Sequence, residues 1–308
     1  MNDKVKVLDH GFVILRNVAG PTRRTRGEKI PVTENFSDHS LRPFDADDID
    51  PANAARISFD NFDDKTRTRE MDLKLCDYLM RSKHTSPFEM IEVWLEMKLP
   101  IFIARQFVRH RTVSINEVSG RYVTLPEEWY IPDVVGGKPP KAKQGQVDTL
   151  DKEVQEQFKI VLDLDCSSSY GKYRAFIEAG VAAEHARMFL HLNHYTHWLW
   201  KQDLHNLMHF LSLRDHSHAQ IEVQKYASAV DGLIRSVLPE TMRLYDKYRR
   251  MKDDAQTELL DMLGKMIELI RGTDGDFCPS CQSPNYVNHD ENCEYFNIIR
   301  RFQSLRNG

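Results

Sequence analysis

The chain has 308 residues, 41% of them apolar, enough for a large buried core in one or two domains. Its 42 Lys and Arg against 46 Asp and Glu give a net charge of −4, so there is no global basic footprint for nucleic acid, and any anion site must be local. No apolar run is long enough to span a bilayer, Asp9 and His10 interrupt the N-terminal apolar stretch, and five cysteines do not read as a disulfide framework, so the expected setting is cytoplasmic with no membrane partner.

KVLDHGFVILRNV, residues 6–18, reads as two short strands around Gly11. Residues 20–51 are polar and irregular, basic at first (Arg23, Arg24, Arg26) and acidic later (Asp45, Asp47, Asp48, Asp50), and predict a surface excursion. ARISFD, 55–60, leads into a helix over roughly 65–83, with Met71, Leu75, Tyr78 and Leu79 on one face. In 91–99, Ile91, Val93, Leu95, Met97 and Leu99 alternate with Glu92, Trp94, Glu96 and Lys98, the pattern of a half-buried strand. Pro100 fits the first turn of a following apolar helix, IFIARQFVRHR.

Residues 134–147 predict a Gly/Pro/Lys loop, and 150–192 a helical stretch broken near Ser167–Ser169 or Gly180. YTHWLWKQ, 195–202, reads as an aromatic strand, and Asp203 as the cap of a helix through LHNLMHFLSLR. A further amphipathic helix runs to Pro239, and two more helical stretches reach about residue 271. Strands mixed with long helices, without regular alternation, indicate an α+β fold.

One stretch stands out chemically. RHRTVSINEVSGRY, 109–122, carries three Arg, one His, one Glu, one Asn and two Ser where the apolar helix ends. Two readings compete evenly. Cations at a helix C-terminus complement its dipole and need no other role. Alternatively, Arg109, Arg111 and Arg121 offer planar forks for phosphate, with Ser114, Asn116 and Ser119 beside them for a polar ligand.

At this point the sequence resembles a known family. Arg109-His110-Arg111, seven residues and then Ser119, continued by Arg121 and Tyr122, resembles the signature of flavin-dependent thymidylate synthases. HTSPFE (84–89), ARISFD (55–60), EHARMFL (184–190) and LRDHSHAQ (213–220) resemble further segments of that family in order. The resemblance covers about residues 5–18 and 52–245.

It implies a twisted, mainly antiparallel sheet flanked by long helices, and a homotetramer with shared active sites. The implied reaction converts dUMP to dTMP, with methylenetetrahydrofolate as carbon donor and NADPH as reductant through bound FAD. Gln106, Arg109, Glu117, Ser119, Gly120, Arg121, Arg187 and Arg214 match dUMP-contacting positions, with Arg214, Ser119 and Arg109 as the catalytic set. Ser58, His84, Ser86, Glu89, Arg109, His110, Arg111, Glu117, His205 and His209 match flavin-contacting positions. Members differ at Asp203, His205 and His209, where Asn or Arg can occur. Away from the family pattern, Arg187 and Glu89 would read as ordinary surface charges.

Cys76 and Cys166 lie outside the polar motifs, so a thiolate is not the expected catalyst. His205 and His209, four apart on a predicted helix, raise a metal hydrolase as a rival class, but HNLMH lacks the Glu of HExxH. A nucleotide-binding relative without catalysis is the other alternative. The reading divides the chain into a catalytic domain, 1–272, with insertions near 20–51 and 134–165, and a tail, 273–308. In the tail, Cys278, Cys281, His289 and Cys293 have the spacing of a small structural zinc knuckle. Arg300, Arg301 and Arg306 near its end read as a solvated cluster.

Overall fold

Within residues 4–21, 46–59, 67–138 and 150–250, with residue 263 besides, the computed structural model describes five strands in one antiparallel sheet. They are β1 (Lys4–Val7), β2 (Gly11–Ala19), β3 (Glu92–Pro100), β4 (Val113–Glu117) and β5 (Tyr195–Asp203), in the order β1-β2-β3-β5-β4. The chain divides into two units, 1–250 and 251–308, and the sheet and the helices that cover it belong to the first. Much of 20–51, the centre of the 134–147 loop, the helical stretches beyond 250 and the four tail metal ligands lie outside the described residues.

The alternation in β3 does what period two requires. Val93, Leu95, Met97 and Leu99 are buried on one face, and Glu92, Trp94, Glu96 and Lys98 stand half-buried on the other. β3 pairs with β5 along its whole length, setting Leu95 opposite Trp200 and Met97 opposite Trp198. On the other side, Val13 faces Met97 and Leu15 faces Leu95. An irregularity between Leu15 and Asn17 lets Arg16 escape from the ladder. Each large side chain fully buried on this face stabilises the fold by about 1.5–3 kcal/mol relative to exposure.

Nine helices occur among the described residues: α1 (Asp50–Arg56), α2 (Arg69–Arg81), α3 (Ser86–Glu89), α4 (Ile101–Phe107), α5 (Lys152–Glu178), α6 (Ala183–Ala186), α7 (Leu204–Arg214), α8 (Ile221–Val237) and α9 (Pro239–Tyr248). Ile103 and Phe107 of α4, Leu207, Phe210 and Leu211 of α7, and Tyr226, Val230 and Ile234 of α8 join the buried sheet face in one core. Phe210 ties these layers together, with its ring edge-on to Phe107 at 4.8 Å and to Trp200 at 5.0 Å.

Several local expectations are corrected. The acidic segment is not simply a solvated surface. Asp48 is buried and caps α9 from a distance, accepting from the backbone N–H groups of Glu240 (3.2 Å) and Thr241 (2.7 Å). Asp50 is buried as the first residue of α1, a helix that begins inside the segment read as irregular. The buried face of α2 is Asp72, Cys76, Leu79 and Met80, while Met71 and Tyr78 are about half exposed at 54% and 48%. An acidic side chain faces inward there because Asp72 pairs with the buried Arg56, and that is invisible to hydrophobic periodicity. α5 runs unbroken through Ser167–Ser169 and stops before Gly180, whose φ of +86° only glycine adopts without strain.

Candidate active site

The end of α4 is held rigidly. Pro100 sets its start, Phe107 is buried, and the turn that follows returns the chain into β4. That turn contains Thr112 at φ +62°, a conformation that costs a β-branched residue about 1–3 kcal/mol. The strained turn presents Arg109 and Arg111 to solvent and folds His110 inward, where it is 7% exposed.

His110 lies edge-on to Phe210 at 5.0 Å, with His209 at 6.3 Å. Arg214, the last residue of α7, donates from Nε to His110 Nε2 at 2.9 Å and from Nη2 to the Gln106 carbonyl at 3.5 Å. Because guanidinium only donates, His110 Nε2 accepts, and the ring is neutral. Burial, the Arg214 charge and His209 push its pKa down to about 4. Burial and nearby Arg109 lower the pKa of Arg214 as well. Arg109, Arg111 and Arg214 form no ion pair with a carboxylate among the described residues. Gln106 donates to Gln220 Oε1 at 2.7 Å, beside the same end of α4.

A second group lies beyond the other end of β4. Glu117 accepts from Thr196 Oγ1, Ser119 Oγ accepts from the Arg121 N–H at 3.3 Å, and Arg121 pairs with Glu184 at 3.1 Å. Gly120 is buried in contact distance of Arg187. A Cβ there would stand 3.2 Å from Leu125 and 3.4 Å from the Arg187 side chain. Leu125 is clamped by α5, with its N–H donating to Tyr173 Oη and its carbonyl accepting from Tyr170 Oη, both at 3.0 Å. Sequence reasoning misses this clamp, since two tyrosines inside a long polar helix match no motif.

The third group comprises residues matched to flavin contacts. α3, which carries Ser86 and Glu89, contacts both α1 and α7. His84 is exposed, its ring tilted 31° from that of Tyr78 at 5.8 Å. His205 sits on α7 within electrostatic reach of Glu89, one turn before His209. Burial, first of all, and then Arg249, whose Nη1 lies 3.4 Å from Nδ1, keep the His205 pKa below the ordinary imidazole value. Ser58 is exposed in the short turn after α1.

The structure thus joins Gln106, Arg109, His110 and Arg214 with His209, and through α7 with His205 and Glu89. Ser119, Gly120, Arg121 and Arg187 form a separate group. No hydrogen bond or ion pair among the described residues links the two. A depression of about 750 Å³ lies on the opposite, half-exposed sheet face, lined by Arg16, Trp94, Glu96, His197 and Leu199. Of the family-matched residues only Glu117 borders it.

Both described cysteines are buried and poorly suited to act as thiolates. Cys76 is 1% exposed, donates to the Asp48 carbonyl, and is pushed by burial to a pKa of about 12. Burial also raises Cys166. No three His, Cys, Asp or Glu among the described residues gather as a metal site requires, so His205 and His209 find no third ligand there.

The fold is one antiparallel sheet covered by helices, and Arg109 in the turn after α4 and Arg214 at the end of α7 are cations of the kind that suit a small anionic ligand. Residues 43–240 match the family model described as thymidylate synthase complementing protein. The flavin-dependent thymidylate synthase of Rickettsia conorii is 35% identical over 280 residues, covering 86% of this chain and 85% of the relative. That of Thermus thermophilus is 44% identical over 202 residues, covering 66% and 73%. Among solved structures, the UMP/dUMP methylase PolB from Streptomyces cacaoi bound with 5-Br dUMP superposes with a TM-score of 0.64 at 25% identity, covering 80% of this chain and 99% of that one. The chain belongs to the flavin-dependent thymidylate synthase family.

Proposed function

We propose that this enzyme methylates dUMP to dTMP, taking the carbon from methylenetetrahydrofolate and the reducing equivalents from NADPH through bound FAD. The observation that carries the reading is the Arg109–Arg214 pair. Arg109 lies close enough to lower the pKa of Arg214, and neither forms an ion pair with a carboxylate among the described residues. Cations kept together without a counter-charge suit a ligand that brings its own. Arg109 suits the 5′-phosphate, and Arg214 suits a uracil carbonyl whose oxygen gains charge during reaction.

Bound flavin supplies the redox chemistry that side chains cannot. Its matched contacts fit a large polar ligand, since His84, Ser86, Glu89 and His209 are exposed and His205 is half-buried, on or just before α3 and on α7. The protein's own share is orientation and electrostatics. Ser119 serves as a binding residue, because its described hydrogen bond is with a backbone N–H and not with a base. Raised thiol pKa values at Cys76 and Cys166 support a route without a protein thiolate.

A homotetramer with shared sites fits the separation of Ser119, Gly120, Arg121 and Arg187 from the Arg109–Arg214 group, because a second copy can bring the two together. Exposed Phe158, Ile160, Val161 and Leu164 on α5 offer apolar surface for that contact. Free thiols at Cys76 and Cys166 suit a reducing cytoplasm. Cys278, Cys281, His289 and Cys293 are proposed as a structural zinc site, which metal analysis of the full chain tests.

The experiment for the whole reading is the visible spectrum of the purified protein, followed anaerobically after NADPH and dUMP are added. Flavin bands that bleach are expected. A protein that is colourless and takes up no added FAD overturns it.

A further inference from the structure

The imidazole at position 110 matches a flavin contact, yet its ring is turned into the protein. Its Nε2 is occupied by Arg214 at 2.9 Å, and its ring is walled by Phe210 and faced by His209. We infer that His110 is a positioning residue for Arg214, acting as a neutral acceptor that fixes the guanidinium while leaving its positive charge uncompensated for the nucleotide. This inference rests on the reading that Arg214 faces dUMP.

The choice of residue type explains itself chemically. Arginine loses much rotamer freedom when held in one geometry, so an active-site arginine needs an anchor. The usual anchor is a carboxylate, as Asp231 and Asp246 provide for Arg235. Such a partner would neutralise the charge and compete with an anionic ligand. A backbone carbonyl leaves the charge intact but reaches only one N–H, as the Gln106 carbonyl does at 3.5 Å. A neutral imidazole gives a second, directional bond at Nε without adding charge. Occupying Nε sets the guanidinium plane and turns its remaining edge outward.

The ring must stay unprotonated at Nε2 for this to work. The charged and titratable groups facing it are Arg214 and His209 from α7, with Arg109 acting on Arg214 from the preceding turn. All are basic, and the apolar ring against it, Phe210, offers no acid. Protonation would set two cations 2.9 Å apart with no carboxylate between them. The anchor therefore holds through the neutral pH range.

The test uses the flavin-loaded enzyme and measures the dUMP dissociation constant, turnover and flavin content for His110→Leu, His110→Gln and His110→Glu, each alone and with Arg214→Ala. The inference predicts that His110→Leu weakens dUMP binding about tenfold or more, in line with the cost of a misplaced group. His110→Gln, whose side-chain carbonyl still accepts, should recover to within about threefold. His110→Glu should be worse than His110→Leu, because its carboxylate captures the arginine. In the Arg214→Ala background, His110→Leu should add nothing, and flavin content should not change.

Equal, additive losses in both backgrounds would overturn the inference. So would loss of flavin without loss of dUMP affinity, which would restore the direct flavin contact. If His110→Leu does not fold, His110→Gln and His110→Glu against Arg214→Ala still decide it. An unaltered enzyme that retains flavin but binds no dUMP removes the functional reading itself, and this inference with it.

Discussion

Arg235 and Arg250 differ from Arg109 and Arg214 in the company they keep. Between α8 and the C-terminal end of α9, Arg235 meets Asp231 at 3.1 Å and Asp246 at 2.9 Å, while Arg250 meets Asp215, Asp231 and Asp246 at 2.6–2.8 Å. Asp231 is largely shielded and shared by both cations. At the end of α4, Arg214 meets an imidazole and a carbonyl, and Arg109 forms no ion pair among the described residues. The same residue type is fully neutralised in one place and left charged in another. Neutralised arginines cross-link helices. Uncompensated ones, on the proposed function, are where a ligand that brings its own charge would bind.

This contrast can be broken from either side. The largest expected effect is that of Arg214→Ala, which should lower kcat/KM for dUMP about 10³-fold, or about 4 kcal/mol, with little change in melting temperature. An active variant that melts early would reverse its role. Next is Asp72→Ala, which strands the buried Arg56 and should destabilise the fold by about 3 kcal/mol in denaturant titrations. A loss below about 1 kcal/mol would mean that Arg56 finds another partner.

Asp231→Ala comes third. It leaves Arg235 and Arg250 to share Asp246, with Asp215 still on Arg250, and should cost about 2 kcal/mol of stability without weakening dUMP binding. A fall in dUMP affinity that outruns the loss of stability would couple the two regions. The smallest effect is expected from Cys76→Ala. Its thiol, pushed up to about 12, stays protonated at neutral pH, so turnover should persist while stability falls by about 1 kcal/mol. A folded but inactive variant would reinstate a thiolate mechanism.

Much of the sheet is legible in the sequence, because alternation in 91–99 and the aromatic run in 195–202 map directly onto β3 and β5. Asp203 is equally legible, and it caps α7 through the Asn206 N–H. Motif order points to the candidate site residues, but their grouping in space is not written in it. Which arginines lack carboxylates depends on where Asp215, Asp231, Asp246 and Glu184 fall in space, and no local pattern encodes that. The inward turn of His110 is hidden for a related reason. It depends on the Thr112 backbone, whose positive φ runs against the preference of a β-branched residue. α1 and β4 escape because both are short, and because α1 buries polar residues, Asp50 and Asn53 bonded to each other and Arg56 paired with Asp72 of α2.

The central claim is that the uncompensated Arg109–Arg214 pair receives the nucleotide, and its most direct test compares equilibrium binding of dUMP with that of deoxyuridine to the flavin-loaded enzyme. The expected result is saturable dUMP binding, with deoxyuridine about 10- to 100-fold weaker for want of charge-assisted bonds to phosphate, and a preference that collapses in Arg109→Ala. Equal affinity for the two ligands, or a preference untouched by that substitution, would contradict it.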